Sequence, residues 1–239
     1  MRVGIIAALP GELKPLVKRW RRADSGVRGA RRWVFAQGED TWIAVCAGMG
    51  AEAARRAFAV AESDGPLDMV LSVGWAGSIY EGARAGSVQV PTVVIDAQTG
   101  EQFSLTHGRR KWRLVTAARV ADAQEKARLA ATYPGAVLVD MEAATVARLA
   151  EIRKIPLVCV KGVSDAAGAV VPDLNLFIDT AGQMRMLPFV VYAMCRPKYW
   201  PALAHLGRNS ARAAENMRDL IQEFMKEKNV EKLVRTGSV

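Results

Sequence analysis

Residues 138–165 read "LVDMEAATVARLAEIRKIPLVCVKGVSD". A short apolar run, 136–139, follows the breaker pair Pro134-Gly135 and predicts a strand. Residues 141–153 then place apolar side chains at helical spacing, and 156–163 return to a continuous apolar run. Strand, helix, strand is the unit of an α/β fold, and strands this apolar belong to a sheet covered on both faces. Two carboxylates, Asp140 and Glu142, stand where the first strand gives way to the helix. Charges that close to a core are expensive unless paired or used.

The alternation extends outward in both directions. Residues 2–8 predict a buried strand closed by Pro10 and Gly11, then an amphipathic helix over 12–22. Residues 32–37 and 41–47 predict a hairpin turning at Gly38-Glu39-Asp40. "GAEAARRAFAVAES" (50–63) has helical spacing, ended by "DGPLD". "MVLSVGW" (69–75) reads as a strand that breaks into a glycine-rich loop, 76–86, and 87–97 as a further strand. A polar connection (101–112), a strand (113–117) and a helix (122–132) precede the opening stretch. After it come a loop, 165–173, and helical segments 174–194 and 200–228, broken at Pro197 and Pro201. The pattern points to an α/β sandwich without repeats.

With 239 residues, 51% hydrophobic and 24% charged, the chain has the length and composition of one globular α/β domain. No apolar run approaches the roughly 18 residues a spanning helix needs. "MRVGIIAALPGEL" reads as a first strand rather than a signal peptide. Cys46, Cys159 and Cys195 lie apart in apolar segments and are expected to be buried, reduced thiols in a cytoplasmic protein. The formal net charge is +9, with eight basic residues between Lys14 and Arg32 and ten Lys/Arg against five Asp/Glu in 185–239. That excess fits either an anionic partner or a merely basic surface. No nucleic-acid-reading motif accompanies it, so no nucleic-acid partner is expected.

Four places could carry chemistry. In "CAGMGAEA" (46–53), Gly48, Gly50 and Ala53 satisfy G-x-G-x-x-A between strand and helix. No acidic residue ends the next strand, so a different small-molecule loop or a structural turn competes with dinucleotide binding. Glu12, just beyond the first strand, is either a helix-start acid or a site residue. Ser164-Asp165 ends a buried strand, where open α/β sheets bind ligands, and an Asx-turn is the plain alternative. Glu142 is a first-turn acid or part of a site. His107 and His205 have no spaced partner and read as surface or cap residues, so neither a metal site nor a Ser-His-Asp arrangement is expected.

Together, "VGIIAALPGEL", "AGMGAEAA", "DMVLSVGWAGS" and residues 138–165 resemble, in order and spacing, the nucleoside phosphorylase / methylthioadenosine–adenosylhomocysteine nucleosidase superfamily over about residues 1–190. The tail "RPKYWPALAHLGRNSARAA" (196–214) is similar to the hopanoid-associated phosphorylase branch, whose implied substrate is an adenosylated triterpenoid lipid. The resemblance implies a three-layer α/β/α sandwich with a mixed central sheet, a catalytic domain over 1–194 and a basic helical extension of it over 195–239. It also implies a small-molecule nucleoside or adenosyl-lipid substrate, no cofactor and a homo-oligomer.

Residue by residue, it implies that Asp165 protonates N7 of a departing purine, since an adenine anion leaves poorly. Glu12 would orient the attacking water, Glu142 would hold the ribose hydroxyls, and Met141 would pack under the sugar. Asp140, Ser164, Gly48, Gly50, Gly74 and Ala76 complete the implied binding set. Ser72 and Trp75 stand where phosphorylases carry phosphate ligands, which favours hydrolysis, though Arg28, Arg31 and Arg32 could rebuild an anion site. Trp75 replaces a small hydroxyl residue and reshapes the sugar side. Val120 falls near the position of the purine-stacking phenylalanine, so adenine rests on the resemblance and not on these residues. Phosphorolysis and a non-catalytic nucleoside-binding or membrane-docking protein remain alternatives. The tail is either an interfacial segment that meets a lipid or a helical pair packed on the core.

Overall fold

The computed structural model describes residues 1–105, 112–169 and 172–227. His107, most of the second half of the 101–112 connection and the end of the last predicted helix lie outside the described residues. The strands are β1 (Arg2–Ala7), β2 (Arg21–Ala23), β3 (Arg31–Gln37), β4 (Asp40–Cys46), β5 (Met69–Ser78), β6 (Val88–Gln89), β7 (Val93–Asp96), β8 (Gln102–Ser104), β9 (Arg113–Thr116), β10 (Ala136–Asp140) and β11 (Leu157–Asp165). The helices are α1 (Pro10–Leu13), α2 (Ala51–Glu62), α3 (Ala123–Thr132), α4 (Ala143–Arg153), α5 (Met186–Met194) and α6 (Trp200–Glu227).

All the strands join one mixed sheet in the order β2-β3-β4-β1-β5-β10-β9-β7-β8, with β11 and β6 branching from β5. Period-two alternation sends Ile6, Ile43 and Val45 to the face covered by α2 and α4, and Val3, Ile5 and Ala7 to the face covered by α6. Leu129 of α3 closes a third cluster over Ile95, Val115 and Val139. This is the three-layer sandwich with a mixed sheet that the family resemblance implies.

The branching is what makes room for a site. One edge of β5 pairs with β1 from Met69 to Ser72, and with β10 only at Gly77 and Ser78. Residues 73–76 have no strand on that edge, while β11 runs parallel along the other edge from Val70 to Gly77. β5 therefore continues past Trp75, where the sequence predicts a break, because β11 pairs with it that far.

Four other expectations are corrected. The helix over 12–22 is a four-residue α1, a short 3-10 turn at Val17–Arg19 and then β2, because Pro15 has no N–H to continue a helix. The strand over 87–97 divides around Pro91 into β6 and β7. The segment 174–194 is not one helix. Asp179 Oδ1 accepts the N–H groups of Ala181 (2.9 Å) and Gln183 (2.8 Å). Gly182 turns left-handed at φ 77°, so a tight turn precedes α5. Cys46 and Cys159 are buried as expected, but Cys195 is exposed at the end of α5.

The two tail helices behave differently. The second half of α6 is core: Ala213, Ala214, Met217, Leu220, Ile221, Phe224 and Met225 are buried against the sheet. α5 has no buried residue. Phe189 and Tyr192 lean on Phe177, while Leu187, Val191 and Met194 face outward. No helix among the described residues is long and apolar enough to cross a membrane.

Phe224 meets the fully buried Trp42 edge-on at 5.9 Å. Phe224→Ala is expected to lower the free energy of unfolding by about 3–5 kcal/mol, read from the midpoint shift in denaturant titration. A loss under about 1 kcal/mol contradicts α6 as core.

Candidate active site

A cavity of about 320 Å³ opens at the gap on β5. Glu12, Trp75, Ala76, Val120, Asp140, Met141, Glu142, Ser164 and Asp165 line it, and so does Met49, between Gly48 and Gly50. Residues from sequence positions 12 to 165 thus meet at one place.

Glu12 fills the strand gap. The N–H groups of Ala8 (2.8 Å) and Leu9 (2.7 Å) donate to Oε2, and that of Trp75 (2.8 Å) donates to Oε1. A side chain on residue 74 would collide with it, since a Cβ on Gly74 would stand 2.9 Å from Glu12 Oε1. Trp75 packs its ring over Gly11 and donates its indole N–H to the carbonyl of Ser210 on α6 at 2.9 Å. Burial pushes the Glu12 carboxyl above its ordinary range, against the backbone N–H groups and Lys161, which lower it.

Glu142 sits at the entry to α4. The Gly50 N–H donates to its Oε1 at 2.6 Å, which brings the glycine turn before α2 to the site. Gly50 itself has φ 87°, open to glycine without strain. Gly48 serves a different purpose: a Cβ there would lie 2.8 Å from the Gly182 carbonyl, and the adjacent Met49 N–H donates to that carbonyl at 2.8 Å. The G-x-G turn thus docks the 179–183 turn and Glu142, which leaves the dinucleotide arrangement without its amide cradle.

Asp140 lines the cavity with its oxygens engaged by the protein. Thr116 Oγ1 donates to Oδ1 (2.8 Å), the Ala143 N–H donates to Oδ2 (3.0 Å), and the Lys161 ammonium pairs with Oδ2 at 2.9 Å. Lys161, missed in the sequence reading, is fully buried and also donates to Ser72 Oγ at 3.1 Å. A lone lysine inside an apolar strand is itself the signal, because a buried ammonium requires a partner. Burial acts against the Lys161 ammonium, and Asp140, Cys159 and Glu142 together more than offset it, raising its pKa. Burial and then the Asp140 charge push the Glu142 carboxyl up to about 8.

At the far end, the register of β11 against β5 shifts between Val163 and Asp165, a bulge at Ser164. Ser164 Oγ donates to Asp165 Oδ1, and Lys126, also missed, pairs with Asp165 Oδ2. Nothing in "DAQEKARLAAT" distinguishes Lys126 from a surface helix lysine, since its partner is 39 positions away. Val120 offers backbone rather than a ring: its N–H donates to Asn175 Oδ1 (2.9 Å) and its carbonyl accepts from Asn175 Nδ2 (3.0 Å). One wall is apolar, from Ile178, Met184, Met186, Phe189 and Leu206, while Arg119 and Ser210 also line the cavity. Arg28, Arg31 and Arg32 do not line the cavity, and Arg32 pairs with Asp64.

The raised carboxyls carry a stability signature. Between the ordinary glutamate value of 4.5 and about 8, folded Glu142 keeps a proton that the unfolded chain has released. Stability therefore falls as pH rises through that window, with Glu12 acting in the same direction. Glu142→Gln is expected to flatten the decline in Tm between pH 5 and 8; an unchanged slope contradicts the assignment.

The sequence matches the model of the family described as Phosphorylase superfamily over residues 2–111 and 113–192. Comparison with curated protein sequences gives no match. Among solved structures, the chain is similar to the 5'-methylthioadenosine nucleosidase of Arabidopsis thaliana, at 17% identity over 97% of each chain with TM-score 0.70. It is also similar to the 5'-methylthioadenosine/S-adenosylhomocysteine nucleosidase of Helicobacter pylori, at 13% identity over 94% of this chain and 97% of that one with TM-score 0.68. The futalosine hydrolase of Helicobacter pylori shares the fold at 12% identity, 94% and 97% coverage and TM-score 0.66. With its model matched along most of its length and its fold shared with these structures, the chain belongs to the Phosphorylase superfamily.

Proposed function

We propose that the protein is a nucleosidase that hydrolyses the N-ribosidic bond of an adenosine-type compound and releases adenine. The observation that carries this reading is the convergence of Glu12, Glu142 and Asp165 on one cavity with an apolar wall. Likeness to nucleosidases of Arabidopsis and Helicobacter supports it.

When the bond between C1′ and N9 breaks, its electron pair goes to the base and the sugar becomes an oxocarbenium. The Asp165 end of the cavity delivers a proton to N7, which turns a poor leaving group into a neutral one. Carboxylates near the sugar stabilise the cation in a site shielded from water. Glu12 keeps lone pairs beyond its three backbone donors and orients the water that adds to C1′, taking its proton. Glu142 accepts from the ribose hydroxyls over Met141, and Asp140 supports it by holding Lys161. The raised Glu12 carboxyl suits a group that must take up a proton.

Hydrolysis is favoured over phosphorolysis because the Ser72 hydroxyl is engaged by Lys161, Trp75 fills its place with a ring, and Arg28, Arg31 and Arg32 are not at the cavity. The apolar wall of Met184, Met186, Phe189 and Leu206 supports an apolar group on the ribose 5′ carbon, up to a lipid such as adenosylhopane in hopanoid biosynthesis. The outward apolar face of α5, where Leu187 is 76% exposed, is the surface that would meet such a substrate at a membrane.

The test is base release from adenosine, methylthioadenosine, adenosylhomocysteine and an adenosyl-lipid, each with and without phosphate. Expected is phosphate-independent release that favours apolar 5′ groups. Asp165→Asn and Glu12→Gln should each slow it by about 10²–10⁴-fold with the fold intact. Strict dependence on phosphate overturns hydrolysis, and undiminished Asp165→Asn activity overturns the site.

A further inference from the structure

Lys126 is a charged group at the cavity for which the reaction above has no role. Its side chain is 4% exposed, yet it belongs to a helix whose neighbouring charges lie at the surface. Nζ pairs with Asp165 Oδ2 and donates to the Ala166 carbonyl at 3.0 Å. An ammonium has three N–H bonds, and the third has no acceptor among the described residues, although Lys126 lines the cavity. The lysine reaches this position over Gly77, where a Cβ would stand 3.0 Å from Cε and 3.2 Å from Nζ. A buried donor aimed at a cavity calls for an acceptor there.

We propose that Lys126 and Asp165 read the base together and that the proton reaching N7 is the one on Lys126. The proposal deepens the nucleosidase reading and rests on it. The pair presents one donor, the ammonium, beside one acceptor, the carboxylate. Adenine presents the complement on a single edge, N7 as acceptor beside the exocyclic N6 amino group as donor. A 6-oxopurine presents two acceptors there, N7 and O6, and its O6 would face the Asp165 carboxylate. The pair therefore selects adenine, the discrimination that the missing stacking ring does not supply. In the step itself the C1′–N9 bond breaks and its electron pair stays on the base. A proton leaves Lys126 Nζ and bonds to N7, giving neutral adenine and a neutral amine, while Asp165 accepts from N6. Water adds to C1′ and gives its proton to Glu12. Exchange with solvent on product release returns a proton to Lys126.

The test compares wild type, Lys126→Met and Lys126→Arg on adenosine, inosine and N7-methyladenosine. The N7-methylated base is already cationic and leaves as a neutral molecule without an enzyme proton. Expected is wild-type preference for adenosine over inosine, and a loss of about 100-fold or more in kcat on adenosine for Lys126→Met. On N7-methyladenosine, Lys126→Met should be at least as fast as wild type, which a merely structural lysine would not produce. Lys126→Arg keeps the charge beside Asp165 but does not release a proton, so kcat on adenosine should fall while KM stays within about threefold. It also carries the comparison if thermal unfolding shows the methionine variant misfolded. Equal losses on adenosine and N7-methyladenosine, full activity of both variants on adenosine, or preference for inosine overturn the proposal alone. A folded wild type that releases no base from any nucleoside overturns the nucleosidase reading and this proposal with it.

Discussion

Backbone N–H groups buried along an edge of β5 must find acceptors inside the protein, and between the end of β1 and the start of β10 no strand supplies them. Glu12 supplies one. Its carboxylate joins the exit of β1, at Ala8 and Leu9, to Trp75 in the middle of β5. Several sequence choices follow from that one contact. Residue 74 is glycine because a Cβ would strike the carboxylate, and residue 11 is glycine because a Cβ would stand 2.7 Å from the Trp75 ring. Trp75 in turn ties the gap to α6 through Ser210. The same carboxylate that repairs the sheet is thereby fixed at the floor of a cavity, with no freedom to swing into water.

Because the groups around the gap are buried, a charge there needs a neighbour to compensate it. Asp140 and Lys161 neutralise one another on the β10 side, with Thr116 and the first N–H of α4 completing the set. Removing either partner would strand the other, which is far more damaging than the pair is stabilising. Glu142 receives backbone N–H groups but, among the described residues, no cation in contact, so burial and the Asp140 charge dominate it and hold its carboxyl high. Lys126 and Asp165 repeat the pairing at the opposite end. Two ion pairs thus bracket two less compensated carboxyls, Glu12 and Glu142. That asymmetry leaves Glu12 and Glu142 as the two carboxyls that burial raises above the ordinary glutamate value.

How much of this was legible follows from the range of each interaction. The strand–helix–strand reading of 138–165 holds because local periodicity and the Pro134-Gly135 break decide it. Glu12, Glu142 and Asp165 stand out in the sequence because each follows or ends an apolar strand, and all three line the cavity. The branching of the sheet was not legible, since it depends on which strands pair, and so the sequence pattern stops β5 at Trp75. Lys161 left a trace, a charge in a run of buried residues; Lys126 left none. The turn over 179–182 was hidden by apolar residues on both sides that mimic helical spacing, although the Asp and Gly that make it are present in the sequence.

The chain after β11 divides along the same physical line. The second half of α6 is held by buried side chains over the sheet, so it is as fixed as the strands. α5 is held through Phe177 and its aromatic neighbours and buries no residue completely, which places it among the elements that open most readily. α5 itself supplies Met186 and Phe189 to the wall and Met184 just precedes it, and methionines adapt their shape more easily than branched side chains. The cavity therefore has a rigid polar floor on β5, β10 and β11 and a compliant apolar wall. In the proposed reaction the floor meets the base and ribose, where proton transfer and charge stabilisation tolerate little displacement. The wall meets the 5′ substituent, which takes no part in bond breaking. Such a division makes the chemistry strict and the substituent variable, and it locates the choice of substrate in the segment between β11 and α6.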